Sequence, residues 1–464
     1  MNLTGIDARG NVFVQFDKPN GYHLDGIGAE LDPHLFRDIN TRHGVNEQDW
    51  ELLCKRIQGM KLHKIRMMIM PEWYEPENDN DDPFVTDFDA FTWDSEAMQS
   101  VYRILDMAEE FGIRVNLTLW GAHASQNSWL AIPGCVHWVS PPNDLDEWSE
   151  NFCALLTWLI KVKGYTCIQE ITPYNEPNPA YYVKTTAEVN FQDYKRMVMN
   201  LEKRLIREGL RDCVELCTGD DGGVFSWMLE CSGDPEFEAI SDSMNSHFYY
   251  FPVHGQLSDI AAKSAEITTA YQKNTKKDFR INEFGCYWDD GGDWKDLPQN
   301  NSFERGLLYG KMITVLLGDG CTGMLHWCLF DEYYNDWQKM YRGLWRFKDE
   351  GWTVRPAFHA ISLVTRHTIP GSALYKGITQ EKTVAATALQ CDSGWTYLLV
   401  NDGHQDVTVE IDCVEMSGVH KQYIYCEQEL PENGTEVLQP VAEVVIEKHH
   451  FGVTLPAKSF TVLN

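Results

Sequence analysis

Eight short apolar segments recur about every 40 residues, and segments with helical periodicity lie between them. The predicted strands are Tyr22–Leu31, Leu62–Met70, Arg114–Trp120, Cys167–Tyr174, Val214–Thr218, Ser243–Tyr249, Phe279–Phe284 and Cys321–Trp327. The predicted helices are Glu47–Met60, Glu96–Phe111, Asp146–Lys163, Phe191–Glu208, Leu257–Asn274, Phe303–Leu317 and Val354–His367, with a poorly marked Phe225–Cys231 after the fifth strand. Regular alternation of strands and helices predicts an α/β protein with a (β/α)8 TIM barrel.

The pattern changes after Ile369-Pro-Gly-Ser372. Short alternating apolar runs follow, separated by turn residues and without helical periodicity, which is typical of antiparallel strands. We therefore predict a smaller β-sandwich domain over residues 370–464 and a barrel over residues 21–369. The first 20 residues contain another alternating run, Asn11–Phe16, and we expect this N-terminal strand to join the sandwich.

The charge balance limits the partners of the protein. The chain has 39 basic and 69 acidic residues and a formal charge of −30, so nucleic acid and anionic membranes would be repelled. No apolar run approaches the ~18–20 residues of a membrane span. The N-terminus lacks the pattern of a secretion signal, and the thirteen cysteines show no paired spacing. These observations predict a cytoplasmic protein with reduced core thiols. They do not indicate an oligomeric state.

Two glutamates stand where predicted strands end. Glu176 follows an apolar segment in Ile171–Asn178, and Glu283 ends a similar segment in Phe279–Gly285. Pro177 biases the backbone of Glu176 toward an extended conformation, so Glu176 should project from the strand end. The carboxyl ends of barrel strands converge on one face, where the reactive groups of such barrels lie. We therefore expect both carboxylates in one cleft, where burial would raise the pKa of a general acid.

Charged and polar residues lie near other predicted strand ends. Arg66 is a lone charge in an apolar strand, so it must be paired, either with a carboxylate of the cleft or in a salt bridge at the barrel bottom. His247 and Tyr249 are two residues apart and share one face of their strand. They are interpreted either as supports of a carboxylate or as a core pair.

Further polar and aromatic residues would line the same face. Trp327 offers a flat apolar surface after the eighth strand, although an isolated tryptophan is usually a core residue. Asn175 precedes Glu176, where it could bind a hydroxyl or cap the following loop. Trp120 and His123 follow the third strand and are further candidates. The other tryptophans of the predicted loops could stack on a ligand or belong to the core: Trp73, Trp129, Trp138, Trp288 and Trp337.

Taken together, these residues resemble a known class of enzymes. Arg at strand two, Asn-Glu-Pro at strand four, His-x-Tyr at strand six, Glu at strand seven and Trp at strand eight are similar to the retaining glycoside hydrolases of clan A. The pattern is nearest to that of family 5. Asp25–Glu30 also resembles the strand-one opening of families 30, 39 and 79, whose barrels carry a β-sandwich. Family 5 usually has a histidine at the end of strand three, where this chain has Trp120 and then His123.

The resemblance implies a role for each residue. It implies Glu176 as acid/base, Glu283 as nucleophile and Asn175 as the ligand of the sugar 2-hydroxyl. The expected supports of the nucleophile are Arg66, His247 and Tyr249. The expected substrate-binding residues are Asn175, Trp327, Trp120, His123, Glu30 and Trp288. A carbohydrate substrate is implied, with no cofactor and no metal.

The mechanism implied is a double displacement on β-linked oligosaccharides or glycosides. In this expectation Glu283 is ionised and Glu176 is protonated until the first step is complete. A transglycosylase would use the same residues, and a catalytically weak carbohydrate-binding protein on a barrel scaffold would keep the fold.

Other reaction classes find little support. A metal-dependent barrel hydrolase would need a dense ligand cluster such as His-x-His near strand one, and none occurs. Gly26 and Gly28 lack the third glycine of a dinucleotide-binding loop. The acidic run Glu77–Asp82 lacks the spacing and the glycine of an EF-hand, so we expect a solvated acidic tip rather than a calcium loop.

Overall fold

The structure is a computed structural model that describes residues 11–120, 129–132, 142–177, 191–287, 294–431 and 437–464. Its strands are β1 Val12–Gln15, β2 Pro19–His23, β3 Gly26–Glu30, β4 Lys64–Ile69, β5 Arg114–Leu119, β6 Ile168–Thr172, β7 Glu215–Asp221, β8 Ser243–Phe248, β9 Asp278–Phe284, β10 Cys321–His326, β11 Tyr333–Asn335, β12 Gln338–Lys339, β13 Ala373–Lys376, β14 Val384–Cys391, β15 Gly394–Asn401, β16 Val407–Asp412, β17 Ser417–Tyr425, β18 Ala442–Glu447, β19 His450–Leu455 and β20 Ser459–Leu463. Its α-helices are α1 Asp38–Arg42, α2 Glu47–Met60, α3 Glu96–Phe111, α4 Leu145–Leu156, α5 Phe191–Arg207, α6 Ser226–Gly233, α7 Pro235–Ile240, α8 Leu257–Asn274, α9 Phe303–Asp319 and α10 Pro356–His367.

Strands β3 to β10 form a closed parallel barrel in chain order, and β10 pairs with β3 to complete it. The amphipathic helices between the strands pack their apolar faces against the outside of the barrel. Helix α3 shows how such a helix begins and ends. Ser95 accepts a hydrogen bond from the Met98 amide at the start, and Gly112, with φ 66°, ends the helix. The predicted (β/α)8 barrel is confirmed.

Two predicted elements differ from those observed. The predicted first strand, Tyr22–Leu31, is split, because β2 leaves the barrel and pairs with β13 of the second sheet before β3 enters the barrel. The helical connection after β7 consists of α6 and α7, where Asp234 and Pro235 end one helix and begin the next. A proline at the first helical position is well tolerated, which explains the break.

The amino-terminal end of the barrel is closed by buried ion pairs. Lys64 contacts Asp25 and lies 2.5 Å from Glu170 Oε1, and Arg280 lies 3.3 Å from Glu170 Oε2. The salt bridge at the barrel bottom, which was one of the two interpretations of Arg66, is thus formed by Lys64 and Arg280 instead. Arg66 itself, two residues after Lys64 on the same strand face, has other partners.

The second sheet has ten strands in the order β1-β16-β19-β18-β17-β20-β15-β14-β13-β2. Its apolar side chains form two groups. Those of β1, β16 and β19 meet those of β14 and β15 in a core of their own, as in a sandwich. The N-terminal strand β1 pairs in parallel with β16, in the register Val12 to Val409.

The opposite face of this sheet packs on α9 and α10 of the barrel. A side chain at Gly306 or Gly310 would collide with Tyr425 or Phe460 of the sheet, so glycine allows α9 to approach closely. In the described ranges the cysteines form no disulfide with one another, and none of the helices is long and apolar enough to cross a membrane.

Candidate active site

Glu176 and Glu283 meet at the carboxyl end of the barrel. Glu176 follows β6, and Glu283 is the penultimate residue of β9. One carboxylate oxygen of each, together with a ring nitrogen of His247, lie within 4.8 Å of one another. Two carboxyl groups flank the scissile bond at ~5–5.5 Å in retaining glycosidases, against ~6.5–9.5 Å in inverting ones. An approach of the carboxylate oxygens to within 4.8 Å is nearer to the first of these spacings than to the second.

Glu283 is held by two donors. Arg66 Nη1 donates to Oε2 at 2.9 Å, and the Tyr249 hydroxyl donates to Oε1 at 2.7 Å. Each carboxylate oxygen thus has its own donor, so the plane of the carboxylate is fixed. His247 and Glu283 are also direct neighbours in the pairing of β8 with β9.

Arg66 is completely buried and joins four acceptors, three from strands β3, β7 and β9 and one from the segment after β6. Besides Glu283 it donates to Glu30 Oε2 at 3.0 Å, to Asn175 Oδ1 at 2.6 Å and to Asp220 Oδ2 at 2.9 Å. A buried guanidinium requires such partners, because desolvating an unpaired charge costs several kcal/mol. Of the two interpretations of Arg66, the structure shows the one at the cleft.

Asp220 is a site residue that the sequence reasoning missed. The fifth strand was expected to end at Thr218, but β7 continues through Asp221, and the carboxylate of Asp220 is fully buried beside Arg66 and His247. The signal was present as two consecutive aspartates after an apolar strand. It was overlooked because the predicted strand stopped with the apolar run at Thr218.

His247 lies between the carboxylates. Its Nδ1 is 3.0 Å from Glu176 Oε1 and 3.6 Å from Glu283 Oε2, and its Nε2 is 3.4 Å from Asp220 Oδ1. Burial opposes protonation of the ring, but the negative charges of Glu283 and Asp220 outweigh burial and raise the pKa of His247 well above 6.5. Protonation of the ring is thus favoured, and Nδ1 is within hydrogen-bonding distance of Glu176.

The backbone of Glu176 differs from the extended conformation that we expected. Its φ is 45°, and its amide donates to the carbonyl of Asp220 at 3.1 Å. Asp220 also has a positive φ, 48°. This left-handed geometry is costly for residues with a Cβ, and the hydrogen bond between the two strand ends holds both residues in it. The bias of Pro177 was thus overridden by tertiary structure.

The carboxylates around Arg66 are more numerous than the cations. Burial raises the pKa of Glu283 to about 7, although His247 and Arg66 oppose the rise. Burial also raises the pKa of Glu30 to about 8 and that of Asp32 to about 6. The raised pKa of Glu283 runs against the expectation that this carboxylate is simply held ionised by its donors, because burial outweighs them.

Two tryptophans lie over the site. The rings of Trp120 and Trp327 are 5.5 Å apart and nearly parallel, and the Arg66 guanidinium carbon lies 4.9 Å from the Trp120 ring centroid. A cis peptide bond joins Trp327 to Cys328. A small cavity of about 160 Å³ is lined by Gly223, Tyr249, Tyr250 and Tyr287, and it adjoins the site through Tyr249.

The remaining expected substrate ligands are placed differently. Glu30 has no exposed surface, because it is paired with Arg66 inside the barrel, so its side chain is not available to a substrate. His123, Trp138 and Trp288 lie outside the described residues. Of the loop tryptophans, Trp73 is buried, Trp129 donates to the Glu75 carbonyl, and Trp337 is 81% exposed.

Three groups of side chains in the described ranges bring metal-binding atoms within 4.8 Å of one another. The first is Glu176, His247 and Glu283, where Arg66 and His247 already contact the carboxylate oxygens that a cation would need. The second is Asp32, His34 and Glu332, all buried, after β3 and β10 on the same side of the barrel. The third is Asp79, Glu147 and Glu150, away from this site.

The parallel barrel closed in chain order, the additional β-sandwich and the two facing glutamates agree with the fold that the resemblance to the clan A glycoside hydrolases implies. No family model and no curated protein matches the chain. Among solved structures, the chain matches the catalytic domain of GH30 xylanase C from Talaromyces cellulolyticus, with a TM-score of 0.69 at 14% identity over 97% of this chain and 99% of that one. It also matches a GH39 β-xylosidase from Caulobacter crescentus, with a TM-score of 0.59 at 12% identity over 97% and 99%. The similarity to families 30 and 39 is thus confirmed at the level of the fold.

A third match corrects the expected location. A conserved exported protein from Bacteroides fragilis has a TM-score of 0.69 at 14% identity and covers 97% of this chain and 99% of its own. The prediction of a cytoplasmic protein is therefore wrong, because the sequence features on which it rested do not exclude export. The fold occurs in an exported protein, and unpaired buried cysteines report on core packing rather than on a compartment.

Proposed function

We propose that the protein is a retaining β-glycosidase that hydrolyses β-linked oligosaccharides or glycosides, with Glu283 as the nucleophile and Glu176 as the acid/base. The observation that carries the proposal is the approach of the two carboxylates to within 4.8 Å around His247. A short spacing of this kind favours the retaining arrangement, in which the carboxyl groups lie ~5–5.5 Å apart, over the inverting one at ~6.5–9.5 Å.

In the first step, Glu283 attacks the anomeric carbon while Glu176 protonates the oxygen of the departing group. Positive charge develops on the sugar ring, and the adjacent carboxylate stabilises it before the bond forms. Arg66 and Tyr249 orient the attacking carboxylate through its two oxygens. Their donors also stabilise Glu283 as a leaving group when the second step begins.

In the second step, Glu176 has lost its proton and removes one from a water molecule, which attacks the glycosyl-enzyme and releases Glu283. His247 lies 3.0 Å from Glu176 and supports its anionic form between the steps. The result is net retention of configuration, because each step inverts the anomeric carbon once.

Asn175 and the tryptophans are assigned to the sugar. The Asn175 carbonyl oxygen accepts from Arg66, which leaves its amide group to donate to the sugar 2-hydroxyl. Trp327 is the platform under the reacting sugar, and Trp120 packs against it. Because a xylanase and a β-xylosidase share the fold, β-xylosides belong in the substrate panel beside β-glucosides, β-galactosides and β-mannosides.

The test is to trap the intermediate. Nitrophenyl glycosides identify the sugar, and the matching 2-deoxy-2-fluoro glycoside with a good leaving group should then inactivate the enzyme and add one sugar mass to the peptide containing Glu283. Proton NMR should show the β-anomer as the first product. Label on another residue, or an α-anomer as the first product, would contradict the assignment. Tight sugar binding without turnover on any glycoside of the panel would instead indicate a carbohydrate-binding protein.

A further inference from the structure

The acidic segment after β4 is not the solvated tip that its sequence suggested. Asp81 and Asp82 are exposed at the turn, but Asp79 is directed toward α4. There one oxygen each of Asp79, Glu147 and Glu150 lie within 4.8 Å of one another. We call these three residues the acidic cluster. It belongs to the outer wall of the barrel mouth and shares no residue with the glutamate pair.

The surrounding segment is ordered by hydrogen bonds around the acidic cluster. Asp79 Oδ2 accepts from the amide of Asp87 at 2.6 Å and from the Asn80 side chain at 2.9 Å, and Glu75 Oε1 accepts from the Asp79 amide at 3.2 Å. These bonds shape the loop, but they occupy only one oxygen of Asp79.

Two buried acceptor oxygens of the acidic cluster have no donor among the described residues. They are Asp79 Oδ1 and Glu150 Oε2, and the Glu150 residue is only 1% exposed. Glu150 Oε1 is used, since Thr86 donates to it at 2.5 Å. Buried polar atoms in folded proteins are almost always satisfied, so two such oxygens in one cluster indicate a missing partner. Both are acceptors, and a cation is the partner that satisfies several acceptors at once.

The charges lead to the same conclusion. Glu75 is 1% exposed and adds a fourth carboxylate beside the acidic cluster, while Arg204 approaches Glu150 at 3.6 Å. Four carboxylates and one guanidinium leave an excess of negative charge there, which a bound cation would offset.

We propose that the acidic cluster is a Ca²⁺ site, with Asp79, Glu147 and Glu150 as ligands and water completing the set. The ligand set consists of oxygen atoms alone, which suits a hard cation and not zinc or copper. Ca²⁺ is favoured over Mg²⁺ because it takes 6–8 oxygens in irregular geometry, whereas Mg²⁺ needs a near-octahedral set and keeps its waters.

The position of the site assigns it a structural effect. Asp79 belongs to the loop after β4, whereas Glu147 and Glu150 belong to α4, so a bound ion joins the loop to the helix. The neighbouring Glu75 carbonyl accepts from Trp129 at 3.0 Å, and Glu75 Oε2 accepts from Asn151 at 2.8 Å. A bound ion would therefore stabilise the contact between the loop after β4 and α4 at the barrel mouth, and it would not contact Glu176 or Glu283.

The experiment compares the chelator-treated full chain with and without CaCl2 at pH 7.5. Calorimetric titration should show one Ca²⁺ per chain, and 1 mM Ca²⁺ should raise the Tm by about 2–5 °C, with a smaller shift for Mg²⁺. Glu150→Gln should abolish the shift and leave the metal-free protein at least as stable as the wild type, because a repulsive charge is removed. Asp81→Asn, at the exposed turn of the same loop, should keep the full response.

A second variant, Glu147→Gln, tests the helix side of the site in case Glu150→Gln does not fold, and it should also lose the shift. Binding should weaken from pH 8 to pH 6, because protons compete for the same oxygens. The proposal would be overturned if Ca²⁺ did not raise the Tm of the wild type, or if Ca²⁺ raised the Tm of both glutamine variants as much as that of the wild type. A rise in Tm with Mg²⁺ as large as that with Ca²⁺ would also overturn it.

Discussion

Arg66 and Glu283 are 217 positions apart in the chain, yet Arg66 Nη1 lies 2.9 Å from Glu283 Oε2. The same guanidinium bonds to Glu30 of β3, to Asp220 of β7 and to Asn175 after β6. The proposed nucleophile is thus oriented by the group that also neutralises the interior of the barrel mouth. In the proposed function, Arg66 therefore serves both stability and activity.

Replacing Arg66 should therefore destabilise the fold. Arg66→Met keeps the length of the side chain but leaves buried carboxylates without their cation, so we expect a loss of about 3–5 kcal/mol in the free energy of unfolding. Urea denaturation measures this loss. Arg42→Met, which removes an exposed guanidinium paired with Asp38, is the control and should change stability little. Equal stability of the two variants would contradict the role of Arg66.

Removing the proposed acid/base should separate the two steps. Glu176→Ala should slow hydrolysis of glycosides with poor leaving groups by about 10²–10⁴-fold, because their oxygen requires protonation. Aryl glycosides with good leaving groups should still form the glycosyl-enzyme in a burst, and azide should restore turnover and yield a β-glycosyl azide. Glu283→Ala is the matched variant and should show no burst. A burst from Glu283→Ala, or none from Glu176→Ala, would refute the two roles.

The pH profile should report on Glu283. Burial raises the pKa of Glu283 to about 7, and the nucleophile must be ionised, so kcat/KM should fall as the pH drops below about 7. Tyr249→Phe removes a donor to the ionised form, so its acid limb should move to higher pH. The hydroxyl of Tyr250 donates to the Gly223 carbonyl instead, so Tyr250→Phe should leave the acid limb unchanged. An acid limb near pH 4.5 in all three proteins would contradict a buried nucleophile.

Glu332 should destabilise the protein at alkaline pH. Burial and the charges of Asp32 and Asp331 raise the pKa of Glu332 well above 4.5. A group with a raised pKa stabilises the fold below its unfolded value, and this contribution is lost as pH rises through the folded value. Glu332→Gln should thus raise the free energy of unfolding at pH 8 by about 1–3 kcal/mol, and the gain should shrink toward pH 4.5. The exposed Glu427→Gln should show no such pH dependence; a gain at pH 8 no larger than that of this control would refute the prediction.

The periodic features of the molecule were accessible from the sequence. Each barrel strand was predicted near its observed position, because a strand covered on both faces must be apolar throughout. Glu176, Glu283 and Arg66 were recognisable as polar residues at or within such strands. Asp220 was missed since Gly219, at φ 92°, permits β7 to continue beyond the apolar run. That continuation depends on β8 beside it, which a local pattern does not contain.

The sequence by itself determined the order of strands and helices, and it marked the two glutamates, because hydrophobic burial and backbone periodicity are local properties of a chain. Only the tertiary structure decided that Arg66 bonds to Glu283 rather than closing the barrel bottom, that Asp79 turns inward to face α4, and that Glu176 adopts a positive φ. These outcomes depend on contacts between residues far apart in the chain, and their energies arise only when the closed barrel desolvates the charges together.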